Sequence, residues 1–345
     1  MQSSDLTGLL DVHYAYGRPE ASGKLKQQAS DFRVDEILGF EPSGSGQHRL
    51  LQIEKTNTNT DWVAKQLARF LDIKIRDVSY AGLKDRNAKT TQWFSIDLAG
   101  RAEPDWEAFN CAEYRVLVSH AHNKKLRRGS LKGNRFEIII RQFEGSREEL
   151  EQRLFLIQQH GVPNYFGSQR FGHGGDNLLQ AWRMLQGEIK IKDRNRRSIY
   201  LSAARSMIFN QILSQRVADG SWQSILPGEA AILAGSSSYF IVDDDDNSIP
   251  ERLARWDIHP SAALWGKGQL PCSDRARELE LQASANLEGW LEALEQVGLK
   301  QERRALRLRV EGMEWQWPKD GDLQLQFELL AGSYATSVIH ELIEV

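Results

Sequence analysis

Cysteine is nearly absent: Cys111 and Cys272 are the two thiols in 345 residues. Two widely separated cysteines supply neither a disulfide framework nor a four-thiolate zinc site, and they fit a reducing compartment where thiols stay free. Long apolar runs are missing too, since no stretch approaches the roughly 18–20 apolar residues that span a bilayer. The opening Met1-Gln2-Ser3-Ser4-Asp5 lacks the basic start and apolar stretch of a signal peptide. A soluble, cytoplasmic protein with no membrane partner is expected. There is no internal repeat and no low-complexity linker. Zinc spacings such as C-x-x-C or H-E-x-x-H, a Gly-Lys-Thr or Gly-Lys-Ser phosphate loop, and a dinucleotide fingerprint after a strand are all missing. Gly167-Ser168-Gln169 lacks the second glycine of a nucleophile elbow, which argues against a serine hydrolase.

What is present is a globular composition, with 41% hydrophobic, 26% charged and 9% aromatic residues, enough apolar material for a sizeable core. The length exceeds the roughly 100–200 residues of one ordinary domain and suggests two. A net charge of −3 hides strong segregation. From Tyr114 to Phe136 there is no acidic residue, but Arg115, Lys124, Lys125, Arg127, Arg128, Lys132 and Arg135 occur with His120 and His122, which reads as a basic loop. Lys190, Lys192, Arg194, Arg196 and Arg197 form a second cluster, broken by Asp193. One such run is ordinarily a solvated face; two in an acidic protein point to a polyanion. Asp243 to Asp246 is a solvated loop before it is a metal site, because consecutive side chains do not converge on an ion without a dedicated loop geometry.

Alternation marks short strands at 49–54, 92–96 and 135–140, and most clearly at Leu323, Leu325, Phe327 and Leu329, a half-buried strand. Between them, Asn59 or Thr60 caps a helix that places Val63, Leu67, Phe70 and Leu71 on one face. Ser146-Arg147-Glu148-Glu149 is a capping-box pattern before Leu150, Leu154 and Ile157, with Gly161 as the stop. Residues from about 161 to 300 are mostly helix-patterned, with helices near 198–217 and 275–297. A helical domain interrupting a sheet-based one would explain the strong strand after the helices. Two sequential domains with a separate C-terminal hairpin fit the periodicity equally.

The tract Tyr80-Ala81-Gly82-Leu83-Lys84-Asp85-Arg86 precedes a strand, so Asp85 lies on a loop, where catalytic groups are often displayed. Taken alone, Lys-Asp-Arg is an exposed turn. Asn134 and Phe136 alternate onto one strand face; an amide beside an aromatic ring suits a nucleobase, although Phe136 as a core ring and Asn134 as a strand-end residue is equally good. Gly161 to Gly175, dense in Gly, aromatics and Arg, reads as a structured loop that lets backbone approach a ligand, or simply packs tightly.

Together these tracts resemble the tRNA pseudouridine synthase D (TruD) family. The resemblance is carried by Asp31-Phe32-Arg33-Val34-Asp35-Glu36, Ala81-Gly82-Leu83-Lys84-Asp85, Asn134-Arg135-Phe136, 162–172, Leu201-Ser202-Ala203-Ala204-Arg205-Ser206 and Ala331-Gly332-Ser333-Tyr334-Ala335-Thr336-Ser337. It runs essentially end to end and is weakest from about 218 to 299. It implies an α+β fold: a pseudouridine-synthase catalytic domain (1–159 and 306–345), with a mixed, mainly antiparallel sheet flanked by helices. A mainly helical α/β insertion (160–305) interrupts it, and RNA would bind in the cleft between the two.

The resemblance further implies isomerisation of uridine to pseudouridine at position 13, in the D-arm of tRNA, by a monomer that needs no cofactor, metal or protein partner. Asp85 matches the catalytic aspartate. Phe32, Asn134, Phe136 and Tyr334 match uridine-site positions, Tyr334 departing from an expected Phe, so that its hydroxyl needs a partner. A carboxylate held ionised in a partly desolvated site requires a nearby cation, for which Lys26 and Lys84 are the candidates. Lys124, Lys125, Arg127, Arg128, Lys132, Arg170, Arg194, Arg196 and Arg197 would contact RNA. Two rivals are a noncatalytic RNA-binding protein and a metal-dependent nuclease using Asp243 to Asp246 or His120 and His122.

Overall fold

The computed structural model describes residues 8–98, 100–243, 245–319 and 321–344; the opening residues read for a targeting signal, and Asp244, lie outside them. The chain runs through β1 (Ser22–Lys24), β2 (Phe32–Leu38), β3 (His48–Thr56), α1 (Thr60–Phe70), β4 (Val78–Tyr80), β5 (Lys89–Asp97), β6 (Tyr114–His122), β7 (Leu131–Glu144) and α2 (Arg147–His160). It continues with β8 (Val162–Pro163), α3 (Asp176–Leu185), α4 (Arg194–Ala218), β9 (Ala230–Leu233), β10 (Tyr239–Ile241), α5 (Ile249–Ala254), β11 (Ile258–His259) and β12 (Ser261–Leu264). Last come α6 (Asp274–Ser284), α7 (Glu288–Val297), β13 (Glu302–Ala305), β14 (Arg307–Leu308), β15 (Glu311–Lys319), β16 (Asp322–Leu330) and α8 (Ala335–His340).

Two compact units result. Among the described residues, one is sheet-based (within 21–147, 310–333 and 344) and the other mainly helical (within 8–20, 148–309 and 334–343). In the first, the strand order is β15-β16-β7-β2-β5-β3-β6, with β1 added on β7 and β4 on β5. Every pairing is antiparallel except β2 with β5, so the sheet is mixed and mainly antiparallel as expected. The alternation of β16 buries Leu323, Leu325, Phe327 and Leu329 in the interior of the sheet, between β15 and β7. Helix α1 buries Val63, Ala64, Leu67 and Ala68 against Leu51, Ile53, Phe94 and Ile96. Phe70, expected on that face, is 37% exposed and tilts instead against Trp106 and Phe109.

The basic segment 114–136 is not one loop. Its first part is edge strand β6 and its end opens β7, leaving 123–130 as the connection. The outward positions of this edge strand are held by Arg115, Leu117 and His120, an apolar residue among polar ones, which hides the alternation of β6. The predicted helix over 275–297 is broken into α6 and α7 by a 3₁₀ turn at Ala285–Leu287. The middle of the chain also holds short strands, of two to four residues, too brief for periodicity to register.

The helical unit is built around α4, whose last two-thirds is buried on nearly all sides, from Leu201 to Val217. It also takes in both flanking segments of the chain, and Glu341 shows why. This fully buried carboxylate accepts the main-chain N–H of Ala15 (3.0 Å) and of Tyr16 (3.3 Å), while Arg153 donates to the carbonyls of Gly17 (2.8 Å) and Arg18 (3.1 Å). Residues 8–20, most of α2 and α8 therefore pack with this unit, and the compact units do not follow the expected breaks at 159/160 and 305/306.

Burial pushes the Glu341 carboxyl up to about 7 from an ordinary 4.5, against the opposing pull of the Ala15 and Tyr16 N–H donors and Arg153. The folded chain then holds a proton that the unfolded chain has released across that interval. The stability this contributes is complete below about pH 4.5 and lost as pH rises through about 7. Chemical denaturation should show the wild type losing stability relative to Glu341→Gln between pH 5 and 7.5; a difference constant in pH would contradict the assignment.

Candidate active site

One edge of β5 pairs with β3 along its whole length. The other edge changes partner: β2 lies against Lys89, Thr90 and Thr91, and β4 against Phe94, Ser95 and Ile96. Gln92 and Trp93 thus face a gap in the sheet, and a buried backbone donor without a partner is costly. The Glu36 carboxylate on β2 fills the gap, its Oε2 accepting from the Trp93 N–H at 2.8 Å. The loop 81–88 leaves β4 beside this gap and turns back into β5.

Polar side chains from four elements, β2, β3, α1 and β5, hold that loop from below. Gln92 donates to the Gly82 carbonyl (2.6 Å) and accepts from the Thr60 hydroxyl (2.8 Å). The same Thr60 oxygen accepts from the Lys84 N–H (3.1 Å). The Lys84 ammonium pairs with Glu36 Oε1 at 2.6 Å, with side-chain exposures of 9% and 0%. Lys55, 0% exposed, donates to the carbonyls of Thr58 (2.8 Å) and Asp85 (2.9 Å). Burial alone raises the Glu36 carboxyl; Lys84, the Trp93 N–H and Lys55 pull it back.

Asp85 sits on top, half-buried, with Oδ2 accepting from the Lys26 ammonium at 2.7 Å. Of the two candidate cations, Lys26 reaches Asp85, while Lys84 is committed to Glu36. Lys26 adopts a positive φ of 54°, and its ammonium lies 4.1 Å from the centre of the Phe32 ring, a cation–π contact. Phe32 in turn meets Phe136 edge-on at 6.3 Å, and Phe136 stacks on Phe327 at 5.5 Å. Both Phe32 and Phe136 are buried and belong to the core of the sheet face. Asn134 lies opposite Glu36 in the β2–β7 ladder, and its buried Oδ1 has no hydrogen-bond partner among the described residues. Asp85, Lys26, Phe32 and Phe136 form one chain of contacts, and Asn134 shares their face of the sheet.

The remaining candidates fall elsewhere. Lys124, Lys125, Arg127 and Arg128 are exposed on the 123–130 connection and Lys132 on β7. The connection is pinned to the Asp85 loop by the Gly129 N–H on the Ala81 carbonyl (2.9 Å) and by Leu126 packing with Ala81 and Trp93. Lys125 donates to the Arg76 carbonyl (2.9 Å). In the helical unit, the Tyr334 hydroxyl finds its partner in Arg170, whose other terminal nitrogen donates to Ser202 at 3.1 Å. Arg194, Arg196 and Arg197 are exposed in the first turn of α4.

The metal rival has no geometry behind it: among the described residues no three His, Cys, Asp or Glu are grouped to hold an ion. Asp243 and Asp246 accept local main-chain N–H groups, from Asp245 (3.1 Å) and Ser248 (2.8 Å). His122 Nδ1 accepts from the Ser43 N–H (3.1 Å) and its ring stacks on Phe40. Sequence patterns missed the supporting residues Glu36, Lys55, Thr60 and Gln92. The one signal for them was Lys55 itself, which continues the inward alternation of Leu51 and Ile53 where an apolar residue belongs.

The two lysines should respond differently to truncation. Lys84→Met strands the Glu36 carboxylate in the interior and should cost about 3–5 kcal/mol. Lys26→Met breaks a pair whose side chains are 25% and 38% exposed and should cost about 0–1 kcal/mol. Denaturant unfolding of both variants tests this; equal losses would mean that the interior pair is not what holds the loop.

The sequence matches the family profile described as tRNA pseudouridine synthase D (TruD) over residues 11–191 and 176–342. It is 48% identical over 340 residues to the tRNA pseudouridine synthase D of Methylococcus capsulatus, covering 99% of this chain and 96% of that one. With the Nitrosococcus oceani protein of the same name it is 47% identical over 342 residues, with the same coverage. Its fold is that of a crystal structure from Methanosarcina mazei, a putative tRNA pseudouridine synthase D (TM-score 0.76, 22% identity, 98% of this chain and 97% of the other). With a profile match spanning nearly the whole chain and relatives this similar, the chain belongs to the tRNA pseudouridine synthase D family.

Proposed function

We propose that this chain isomerises uridine to pseudouridine at position 13, in the D-arm of tRNA, with Asp85 as the reacting carboxylate and no cofactor. The observation that carries this is the Asp85 carboxylate: solvent-accessible, on a loop held from below by buried side chains, and paired with Lys26 at 2.7 Å. A nucleophile or a base at the ribose must be accessible to substrate and held in place, and the Lys26 contact supplies that hold. The reaction breaks the N1–C1′ bond, turns the base, joins C5 to C1′ and moves a proton from C5 to N1. Nothing is oxidised or reduced. Attack at C1′, attack at C6 and elimination through a glycal all begin from an ionised carboxylate.

The other assignments follow from the contacts. Phe32 acts through Lys26, as the ring that seats the ammonium. Asn134 is suited to the uracil edge, because its unpartnered oxygen is an acceptor for the N3–H. Phe136 forms the apolar floor. A flipped base costs a few kcal/mol in lost stacking, which such contacts offset. The sheet-based unit carries the catalytic loop, and the expected insertion (160–305) falls within the helical unit. RNA contacts are assigned to the basic connection (Lys124, Lys125, Arg127, Arg128, Lys132), to Arg170, and to the first turn of α4. Arg194, Arg196 and Arg197 support this last point physically: cations at a helix N-terminus oppose the helix dipole, an arrangement that a phosphate there would turn favourable. The protein is proposed to act as a cytoplasmic monomer without a protein partner. Among the described residues no helix is long and apolar enough to cross a membrane.

The test uses the purified chain, without added metal or nucleotide, on unmodified tRNA transcripts, with pseudouridine scored by chemical derivatisation and primer-extension stops. Wild type should give a D-arm stop, and Asp85→Ala should lower the rate on the order of 10³-fold or more while binding tRNA within a few fold. Equal activity in both would move the chemistry away from Asp85; tRNA binding with no stop on any transcript would leave an RNA-binding protein. Arg127→Ala should weaken tRNA binding and flatten the log–log salt dependence by about 0.7–0.9.

A further inference from the structure

Lysine is almost never fully buried without a charged partner, yet Lys55 is 0% exposed and both of its acceptors are main-chain carbonyls, of Thr58 and Asp85. Among the described residues no carboxylate is hydrogen-bonded to it. As a contribution to stability this is a poor use of an interior position, since a well-packed apolar side chain of similar volume is often neutral or better. What it does accomplish is geometric. Thr58 lies between the end of β3 and the start of α1, and Asp85 lies at the tip of the loop, so one ammonium ties the tip to the frame of the sheet. Lys55 contacts the very residue whose carboxylate meets Lys26, from the opposite, sealed side.

We propose that Lys55 is a positioning residue for the reaction, its buried ammonium fixing the Asp85 main chain and thereby the direction in which the carboxylate points. The proposal rests on Asp85 being the reacting group. Hydrogen bonds from a charged donor are shorter and stronger than neutral ones, and a displacement of about 1 Å at a reacting group can cost on the order of 10²-fold in rate. The charged groups facing Lys55 are Asp85 and Lys84 on the loop and Glu36 on β2. Burial draws the ammonium down to about 8 from 10.5, Lys84 adding to the fall while Asp85 and Glu36 oppose it. At neutral pH the ammonium is therefore charged, and it discharges in mild alkali. The neutral amine keeps two hydrogens but not the charge that strengthens these bonds, so the rate declines rather than vanishes.

Single-turnover rates and tRNA dissociation constants would be measured from pH 6.5 to 9.5 for wild type, Lys55→Met, Lys55→Arg and Asp85→Ala. Lys55→Met should react about 10–100-fold more slowly at pH 7 with tRNA affinity within about twofold of wild type. Wild type should lose rate with a midpoint near pH 8, and Lys55→Arg, which stays charged, should keep its rate to higher pH. Lys55→Met reacting at the wild-type rate, or losing affinity as much as rate, overturns the proposal. If the Met and Arg variants do not fold, wild type decides: a rate that does not fall between pH 7 and 9.5 overturns it, and a fall centred near pH 8 upholds it. Loss in Asp85→Ala beside full activity in Lys55→Met removes the Lys55 role alone. Full activity in Asp85→Ala removes the role of Asp85 first and this one with it.

Discussion

The partner change along the edge of β5 is the constraint from which the site follows. An interior strand must satisfy its donors on both sides, and where β2 and β4 part, Trp93 has no strand to meet. A carboxylate fills the gap, and a buried carboxylate demands a cation. That cation, Lys84, is carried by the loop emerging at the same place, so satisfying the backbone of the sheet fixes the loop one residue before Asp85. Lys55, Thr60 and Gln92 complete the support from β3, α1 and β5. An apolar interior would be easier to stabilise. The polar one gives a half-buried carboxylate a rigid seat.

The elements with strong period-2 patterns are legible in the sequence: Leu323, Leu325, Phe327 and Leu329 identify β16 by their spacing alone, because a strand with one buried face advertises it. Asp85 is legible only through several separated tracts together, since one aspartate in a turn is indistinguishable from an ordinary turn residue. The choice between Lys26 and Lys84 is not legible. Lys84 adjoins Asp85 in sequence but its side chain turns inward to Glu36, and Lys26 reaches Asp85 from 59 positions away. Lys55 escapes because a lysine in a strand is ordinarily read as an outward residue. The limits of the compact units escape for a related reason: they hang on Glu341 meeting Ala15, 326 positions distant, and no local pattern records such a contact.

Charge segregation also looks different once located. The overall balance of −3 conceals a basic connection pinned to the loop that bears Asp85, and three arginines on the one turn of α4 where the helix dipole disfavours them. Asp193, whose side chain accepts the Arg196 N–H, offsets part of that penalty. Arg170 is engaged differently, held by Ser202 and by the hydroxyl that distinguishes Tyr334 from phenylalanine. That hydroxyl is thus a structural tether as well as a polar group on an aromatic ring.

The late position of β16 in the chain bears on how this protein is made. A ribosome delivers β7 nearly 180 residues before β16, so Ile138 and Ile140 emerge with β2 available on one edge and the other edge open until β16 is made. The helical unit waits equally, for Glu341 to clasp a segment synthesised at the outset. Neither half can finish folding before β16 and Glu341 have been made, and long-range pairing of this kind is slow and prone to aggregation. Nascent chains of this protein would therefore carry an unpaired strand edge until β16 has cleared the exit tunnel.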